Sequence, residues 1–171
     1  MRTTIPCLCL ALPLFALPIW RGEDPAVEES EPITHSFFVA GPSFTGIINE
    51  EGKETWSSGR AGARDGFVLE NDNVLIAWGD EVKELTREHE VVFHYKKSAE
   101  NGELGTCARL ANGNTLLTIR MLNEVREVDP AGKTVMTLKD LSSPSDADRL
   151  PNGNTLVAEN GMIREFDRRG R

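Results

Sequence analysis

Short apolar runs, separated by polar turn signals, occupy the chain from residue 35 to residue 171. The runs are rich in Val, Ile, Leu, Thr and Phe, a composition that favours β-strands. No stretch sustains the spacing of three and four residues that is typical of an amphipathic helix. The pattern therefore predicts an all-β domain of short strands over residues 35–171.

The clearest unit consists of four predicted strands joined by turns. We predict these strands at residues 107–110, 115–119, 124–128 and 133–138. The turn at residues 111–114 contains Asn112-Gly113, a pair that tolerates the positive φ angles of a tight hairpin. The turn at residues 129–132 contains Pro, which fixes φ, and Gly, which relaxes it.

A ten-residue phrase recurs along the chain with regular spacing. Arg-Leu-Pro-Asn-Gly-Asn-Thr-Leu-Val-Ala begins at Arg149, a close copy begins at Arg109, and a weaker copy begins at Val68, so the spacings are 40 and 41 residues. A period of about 40 residues with four strands is typical of one blade of a β-propeller. A β-solenoid or a plain antiparallel sandwich is the alternative.

The strand count predicts an incomplete propeller. The first unit, residues 37–57, contains only strands two to four, and the last unit, residues 146–166, contains only strands one to three. With two complete units between them, the chain has about three and a half blades, whereas propellers typically have four to eight. We expect either a fragment or truncated gene product, or a chain that self-associates through its open sheet edges.

The N-terminal segment predicts export. One positive charge at Arg2 precedes an uncharged, apolar run from residue 5 to residue 20, which is short for a membrane span of about 20 residues. We interpret residues 1–20 as a signal peptide, with a retained anchor as the alternative. Residues 21–34 are acidic and contain two prolines, so we expect a flexible leader.

Charge and cysteine content narrow the class of protein. The formal net charge of −8 disfavours binding to nucleic acid or to an anionic membrane, since both are negative themselves. Removing residues 1–20 would leave Cys107 as the single cysteine, so no internal disulfide could form. We therefore expect a periplasmic or secreted bacterial protein that has no membrane partner once the signal is removed.

The repeated phrase, together with Glu-Val-x-Glu-Val-Asp-Pro-x-Gly-Lys at residues 124–133, resembles exported bacterial propellers of the quinoprotein-like (PQQ-like) and arylsulfotransferase-like groups. Residues 49–56 resemble the end of a quinoprotein-type blade, which implies that Trp56 packs between blades. Arylsulfotransferase-like members often carry His-Asp where this chain has Arg64-Asp65, Gly105-Thr106 and Ser145-Asp146. The resemblance covers roughly residues 37–171 and implies the fold, but without the His it does not imply sulfotransfer.

Three aspartates fall at the predicted innermost strands: Asp65, Asp146 and Asp148. In a propeller these strands surround the central channel, so we predict a ligand-binding site at the channel mouth. Carboxylates that converge there could hold a cation through oxygen ligands or bind a polar solute. The alternative is that each aspartate caps a turn by accepting backbone N–H groups.

Other reactive side chains have simpler interpretations. His89 and His94 are five residues apart, which would place them on opposite faces of a strand, so we predict exposed side chains rather than metal ligands. Cys107 lies in an apolar context and is predicted to be a core residue. Trp78 is predicted to pack, with ligand stacking as the alternative. We predict no catalytic residue, no metal site and no cofactor.

The sequence thus predicts an exported β-propeller module that binds an unknown small molecule or protein. We favour a role without catalysis, because nothing in the sequence pairs a nucleophile with a base. The alternative is a fragment of an arylsulfotransferase-like, quinoprotein-like or lactonase-like propeller enzyme whose catalytic residues are absent here.

Overall fold

The computed structural model describes residues 35–98 and 102–171. These residues form fourteen β-strands in four antiparallel sheets, with a single 3-10 turn at Arg120–Leu122. The sheets consist of β1 (Phe37–Ala40), β2 (Thr45–Ile48) and β3 (Glu54–Ser57); β4 (Asp65–Val68), β5 (Val74–Ala77), β6 (Glu81–Leu85) and β7 (Val91–Lys96); β8 (Leu104–Arg109), β9 (Thr115–Ile119), β10 (Glu124–Val128) and β11 (Thr134–Leu138); and β12 (Asp146–Arg149), β13 (Thr155–Glu159) and β14 (Met162–Phe166).

Each sheet is a meander in which strands pair in chain order, and neighbouring sheets meet along their first strands. Strand β8 contacts both β4 and β12, and β1 contacts β4. This is the arrangement of blades in a β-propeller. The prediction of an all-β, partial propeller is therefore confirmed.

The first sheet contains strands two to four of a blade, as predicted. A β-bulge interrupts the pairing of the last two strands at the same repeat position in three sheets, between Ile47 and Ile48, Glu84 and Leu85, and Glu127 and Val128. Since bulges of this kind mark a fixed place in a strand pair, β2 corresponds to β6 and β10. Strand β1 then corresponds to β5, the second strand of its blade.

Apolar clusters fill the space between adjacent sheets, one cluster for each of the three junctions described. Trp56 belongs to the cluster between the first two sheets and donates its indole N–H to the carbonyl of Arg87, 3.0 Å away. Trp56 thus packs between two blades, as the resemblance to quinoprotein-type blades implies. The three clusters include Ile47, Trp56, Val74 and Ile76; Leu75, Phe93, Leu117 and Ile119; and Leu116, Val125, Val157 and Phe166.

The Asn-Gly-Asn phrase forms the turn between the first two strands of a blade, but its asparagines act differently from what we predicted. Gly113 alone has a positive φ, +84°, and its N–H donates to the carbonyl of Leu110. The side-chain oxygen of Asn112 accepts the backbone N–H of Asn114 at 3.0 Å. Asn112 therefore supports the turn through its side chain, in the manner of an Asx turn, rather than through its own backbone angles.

The same asparagines build a polar clasp that joins one blade to the next. The amides of Asn112 and Asn114 donate to one oxygen of Glu127, at 3.2 and 2.6 Å. The other oxygen accepts Arg149 of the following blade at 2.5 Å. Arg149 also donates to the carbonyl of Gly153, so one guanidinium ties its own turn to the neighbouring sheet.

An equivalent clasp joins the second and third sheets. Asn71 and Asn73 donate to one oxygen of Glu84, and Arg109 donates to the other at 2.6 Å. The guanidinium of Arg109 also lies 4.9 Å from the centre of the Phe93 ring. Charge-assisted bonds of this kind are about twice as strong as neutral ones, and here they are repeated with the period of the sequence.

The junction between the first two sheets replaces both charged positions of the clasp. Ile47 stands where the other sheets have glutamate, and Val68 stands where they have arginine. Both residues line one cleft between the two sheets. Because both partners change together, neither charge is left without its counterpart at this junction.

Strand β8 begins at Leu104, three residues before the predicted start at Cys107. The pairing of β8 with β9 is irregular between Leu104 and Cys107. A Cβ atom on Gly105 would lie 2.3 Å from the hydroxyl of Thr118, so only glycine allows this close approach of the two strands.

The predicted signal peptide and leader, residues 1–20 and 21–34, lie outside the described residues. Within the part that the structure describes, no helix is long and apolar enough to span a membrane.

We expect Glu127→Gln to lower the free energy of unfolding by about 1–3 kcal/mol, because the hydrogen bond that Arg149 donates to this buried side chain would lose the carboxylate charge. Chemical denaturation would measure the change. Glu165→Gln is the matched control, since Glu165 has the same two amide donors, Asn152 and Asn154, but no arginine among the described residues. Equal destabilisation by both substitutions would contradict the clasp.

The clasp should also make stability depend on pH. Burial alone would raise the pKa of Glu127, but the bonds from Asn114 and Asn112 and the charge of Arg149 hold it below its ordinary value. Such a carboxylate stabilises the fold above its unfolded pKa, about 4.3, and this contribution is lost as the pH falls through the folded value. In urea titrations, the difference between wild type and Glu127→Gln should narrow on acidification; a constant difference would contradict this.

Candidate functional site

The innermost strands of three sheets line one groove on the side of the molecule that faces the ring axis. Strands β4, β8 and β12 lie next to one another, and the groove between them has a volume of about 470 Å³. Because each strand comes from a different blade, the groove exists only when the blades are assembled. Its lining includes Phe67, Val68, Ala108, Arg109, Asp146 and Asp148.

Asp65 stands at the start of β4 and links two blades. One carboxylate oxygen accepts the N–H of Gly66 at 2.9 Å, and the other accepts the N–H of Cys107 in the next blade at 3.0 Å. Burial raises the pKa of Asp65, these two bonds oppose the rise, and the nearby charge of Asp146 adds to it. Asp65 is half-buried and does not belong to the lining of the groove.

Asp146 and Asp148 are exposed residues of β12 and line the groove. Asp146 uses one oxygen to accept the N–H of Ala147, and Asp148 does the same with Arg149. Within the described residues, neither carboxylate forms a salt bridge with a lysine or arginine. No group of three or more metal-binding side chains occurs in that same part of the chain.

An apolar wall accompanies these carboxylates in the groove. Phe67 and Val68 of β4 are 48% and 43% exposed, although β4 pairs with the buried strand β5. Val68 occupies the repeat position of the clasp arginine, so the loss of the clasp at the first junction makes this part of the groove apolar. Sequence reasoning missed both residues, and the departure of Val68 from the repeat was the signal that could have found them.

Two further charged residues line the groove, Glu70 and Arg109, and Arg109 already has partners. Its guanidinium donates to Glu84 and to the carbonyl of Gly113. The positive charge of Arg109 is therefore balanced within the protein, and the carboxylates of Glu70, Asp146 and Asp148 make the groove negative.

The other candidate side chains are buried or lie at the outer part of the second sheet, and of these Cys107 contributes to the lining of the groove. Cys107 is 3% exposed within the cluster between the second and third sheets, where burial, followed by the charge of Asp65, raises the pKa of its thiol well above the ordinary value. Trp78 is 2% exposed, as predicted for a packing residue. His89 and His94 are exposed and lie at the outer part of the second sheet, where His94 contacts Glu81 at 2.9 Å.

The starts of the innermost strands form a second, smaller cleft of about 300 Å³. Arg64, Thr106, Arg120 and Ser145 line it. Arg64 forms an ion pair with Glu103, Thr106 contacts the hydroxyl of Thr118, and Ser145 donates to the carbonyl of Ala158. Three of these four side chains therefore already have partners within the fold.

No family model matches the chain, and no curated protein matches it at a significant level. Solved structures do resemble it. A protein of unknown function from Bacteroides caccae has a TM-score of 0.60 at 21% identity, with 74% of this chain and 51% of that chain covered. The WD40 β-propeller domain of Doa1 has a TM-score of 0.67 at 14% identity, with 79% and 47% covered.

A catalytically inactive virginiamycin B lyase from Staphylococcus aureus, determined with quinupristin, has a TM-score of 0.58 at 11% identity, with 76% and 47% covered. These identities show the β-propeller fold alone, and the chain spans about half the length of the structures that it matches. The finer resemblance to quinoprotein-like and arylsulfotransferase-like repeats stays a prediction.

We expect Asp65→Asn to lower the free energy of unfolding by about 1–3 kcal/mol, because an amide has a single acceptor oxygen and cannot accept both Gly66 and Cys107. Thermal and chemical denaturation would measure the loss. Asp146→Asn is the control, since among the described residues Asp146 accepts only the N–H of Ala147, and an amide oxygen can replace that bond. If both variants are as stable as wild type, Asp65 does not link the blades.

Proposed function

We propose that this propeller is a binding module whose groove takes a small ligand with a positive charge beside an apolar group. The observation that carries the proposal is the pairing of an exposed apolar wall, Phe67 and Val68, with two exposed carboxylates, Asp146 and Asp148, in one groove. An alkylamine that carries an aromatic ring at the other end of a short chain combines the two kinds of group that such a lining can contact.

The carboxylates are suited to this role because the described part of the chain uses little of their hydrogen-bonding capacity. Each accepts one backbone N–H from the next residue, which orients the side chain and leaves the second oxygen toward the groove or solvent. An ammonium group could contact both. Since the site is open, each ion pair would contribute only about 0.2–1 kcal/mol, and affinity would depend equally on contact with the apolar wall.

In this proposal Asp65 holds the strands of the site in place without contacting the ligand. Its bonds to Gly66 and Cys107 hold β4 against β8, and this contact sets the distance between the apolar wall and the carboxylates of β12. Asp65 is thus a positioning residue, whereas Asp146 and Asp148 would contact the ligand.

Catalysis by a propeller enzyme was the alternative from the sequence. The described lining of the groove offers carboxylates and a buried thiol, and the histidines His89 and His94 lie in the outer part of the second sheet. Binding is therefore the function that the geometry supports best. Export through residues 1–20 stays a prediction of the sequence.

We expect phenethylamine to bind in the millimolar range, about tenfold more tightly than phenethyl alcohol, which matches its shape but has no charge. Phenylacetate, with the opposite charge, should bind more weakly than either. Chemical-shift titration by NMR would measure all three ligands and show whether the signals of β4 and β12 move.

Substitutions in the lining of the groove test whether the ligands bind there. Asp146→Asn combined with Asp148→Asn should abolish the preference for the amine over the alcohol, while Phe67→Ala should weaken both ligands. Asp140→Asn is the control, because Asp140 is an exposed carboxylate in the loop after β11, outside the lining of the groove. Equal affinity for amine and alcohol in the wild-type protein would refute the proposal.

A further inference from the structure

The last sheet has a face that carries the pattern of a blade junction without a neighbour among the described residues. We call this the trailing face; it consists of Leu156, Ala158, Ile163 and Glu165. By repeat position, Ile163 corresponds to Val82 and Val125, both of which are 0% exposed at their junctions, whereas Ile163 is 69% exposed. The trailing face thus has the residues of an interior surface in an exposed setting.

The first sheet has the opposite face exposed. We call this the leading face; it consists of Phe37, Val39 and Ile48. Phe37 corresponds to Val74, which is 0% exposed, while Phe37 itself is 48% exposed. Val39 and Ile48 are half-buried, and all three positions are apolar.

The trailing and leading faces carry the same kinds of residue as the two sides of a junction inside the chain. In the junction between the third and fourth sheets, Leu116 and Val125 of one blade pack with Val157 and Phe166 of the next. By repeat position, Leu156 and Ile163 of the trailing face replace the first pair. Val39 and Ile48 of the leading face replace the second pair. A junction between them would therefore be apolar on both sides.

Glu165 does not oppose this contact. It has the two asparagine donors of a clasp, Asn152 at 3.0 Å and Asn154 at 2.7 Å, and it is exposed. In the complete clasps the arginine comes from the first strand of the next blade. The leading face is built from β1 and β2, which are second and third strands, so Glu165 would remain hydrated at the inner rim.

We infer that two copies of this chain associate head to tail, with the trailing face of each copy on the leading face of the other. Four sheets from each copy would make a ring of eight, within the four to eight blades typical of propellers. The chain covers about half of the propeller structures that it matches, 47–51% of their length. A two-fold rotation would close this heterologous contact into a ring. The inference does not depend on the ligand proposed for the groove.

The inference is tested on the whole chain by sedimentation velocity across a range of concentrations. We expect a dimer in wild type, and we expect Ile163→Lys and Phe37→Lys each to weaken it about a hundredfold or more, because an unpaired ammonium would be buried in an apolar contact. Val92→Lys is the matched control, since Val92 is 57% exposed on the outer strand β7. Circular dichroism would verify that each variant keeps its sheet content.

Mixing the variants separates a head-to-tail ring from other dimers. A pair made of one Ile163→Lys chain and one Phe37→Lys chain would contain one doubly altered junction and one wild-type junction. The mixture should therefore form more dimer than either variant alone. A wild-type chain that stays monomeric, a dimer insensitive to both variants, or open-ended polymers would overturn the inference. Glu165→Gln should leave the dimer unchanged, because Glu165 stays hydrated in this arrangement, and weaker association of that variant would overturn the pairing of these two faces.

Discussion

The contact between neighbouring blades is the constraint on which the rest of this structure depends. A single blade is a narrow sheet that cannot bury its apolar residues alone, so each sheet must pack against the next. Apolar clusters provide the buried contact area between neighbouring blades, and the Arg–Glu–Asn clasp fixes how one blade is aligned on the next. Its two filled examples, at Glu84 and Glu127, use the same atoms in the same roles. Because both partners are charged and partly buried, a blade that slipped by one residue would leave a carboxylate or guanidinium without a partner.

The arginine position of the clasp also decides the chemistry of the groove, since this position lies on the innermost strand of a blade. Arg109 lines the groove while it is paired with Glu84. At the first junction the charged pair is replaced by Ile47 and Val68, and the groove becomes apolar there. The replacement of this charged pair thus changes the blade junction and the surface offered to a ligand together. This coupling accounts for the apolar Val68 on β4, whereas the carboxylates Asp146 and Asp148 lie on β12.

The terminal faces follow from the same rule. An interior blade position is apolar because a neighbour covers it, and the first and last sheets keep that pattern. Ile163 and Phe37 are therefore large, apolar and exposed, a combination that favours association in a soluble protein. A ring formed by two copies would cover both faces and extend the groove around the axis. Stability and binding would then depend on the same junction chemistry that holds one copy together.

The sequence by itself determined the strands, their grouping and the phase of the repeat. Turn residues and short apolar runs are local signals, and an internal repeat shows each of these signals several times. It also placed Cys107, Trp78 and Trp56 in packed positions. Tertiary structure decided what the aspartates do. Asp65 accepts an N–H from Cys107, 42 positions away, and Phe67 and Asp146 line one groove made by three blades. Contacts between blades depend on how sheets twist and pack, and no local pattern records them, so the clasp partners and the groove became visible only in the assembled fold.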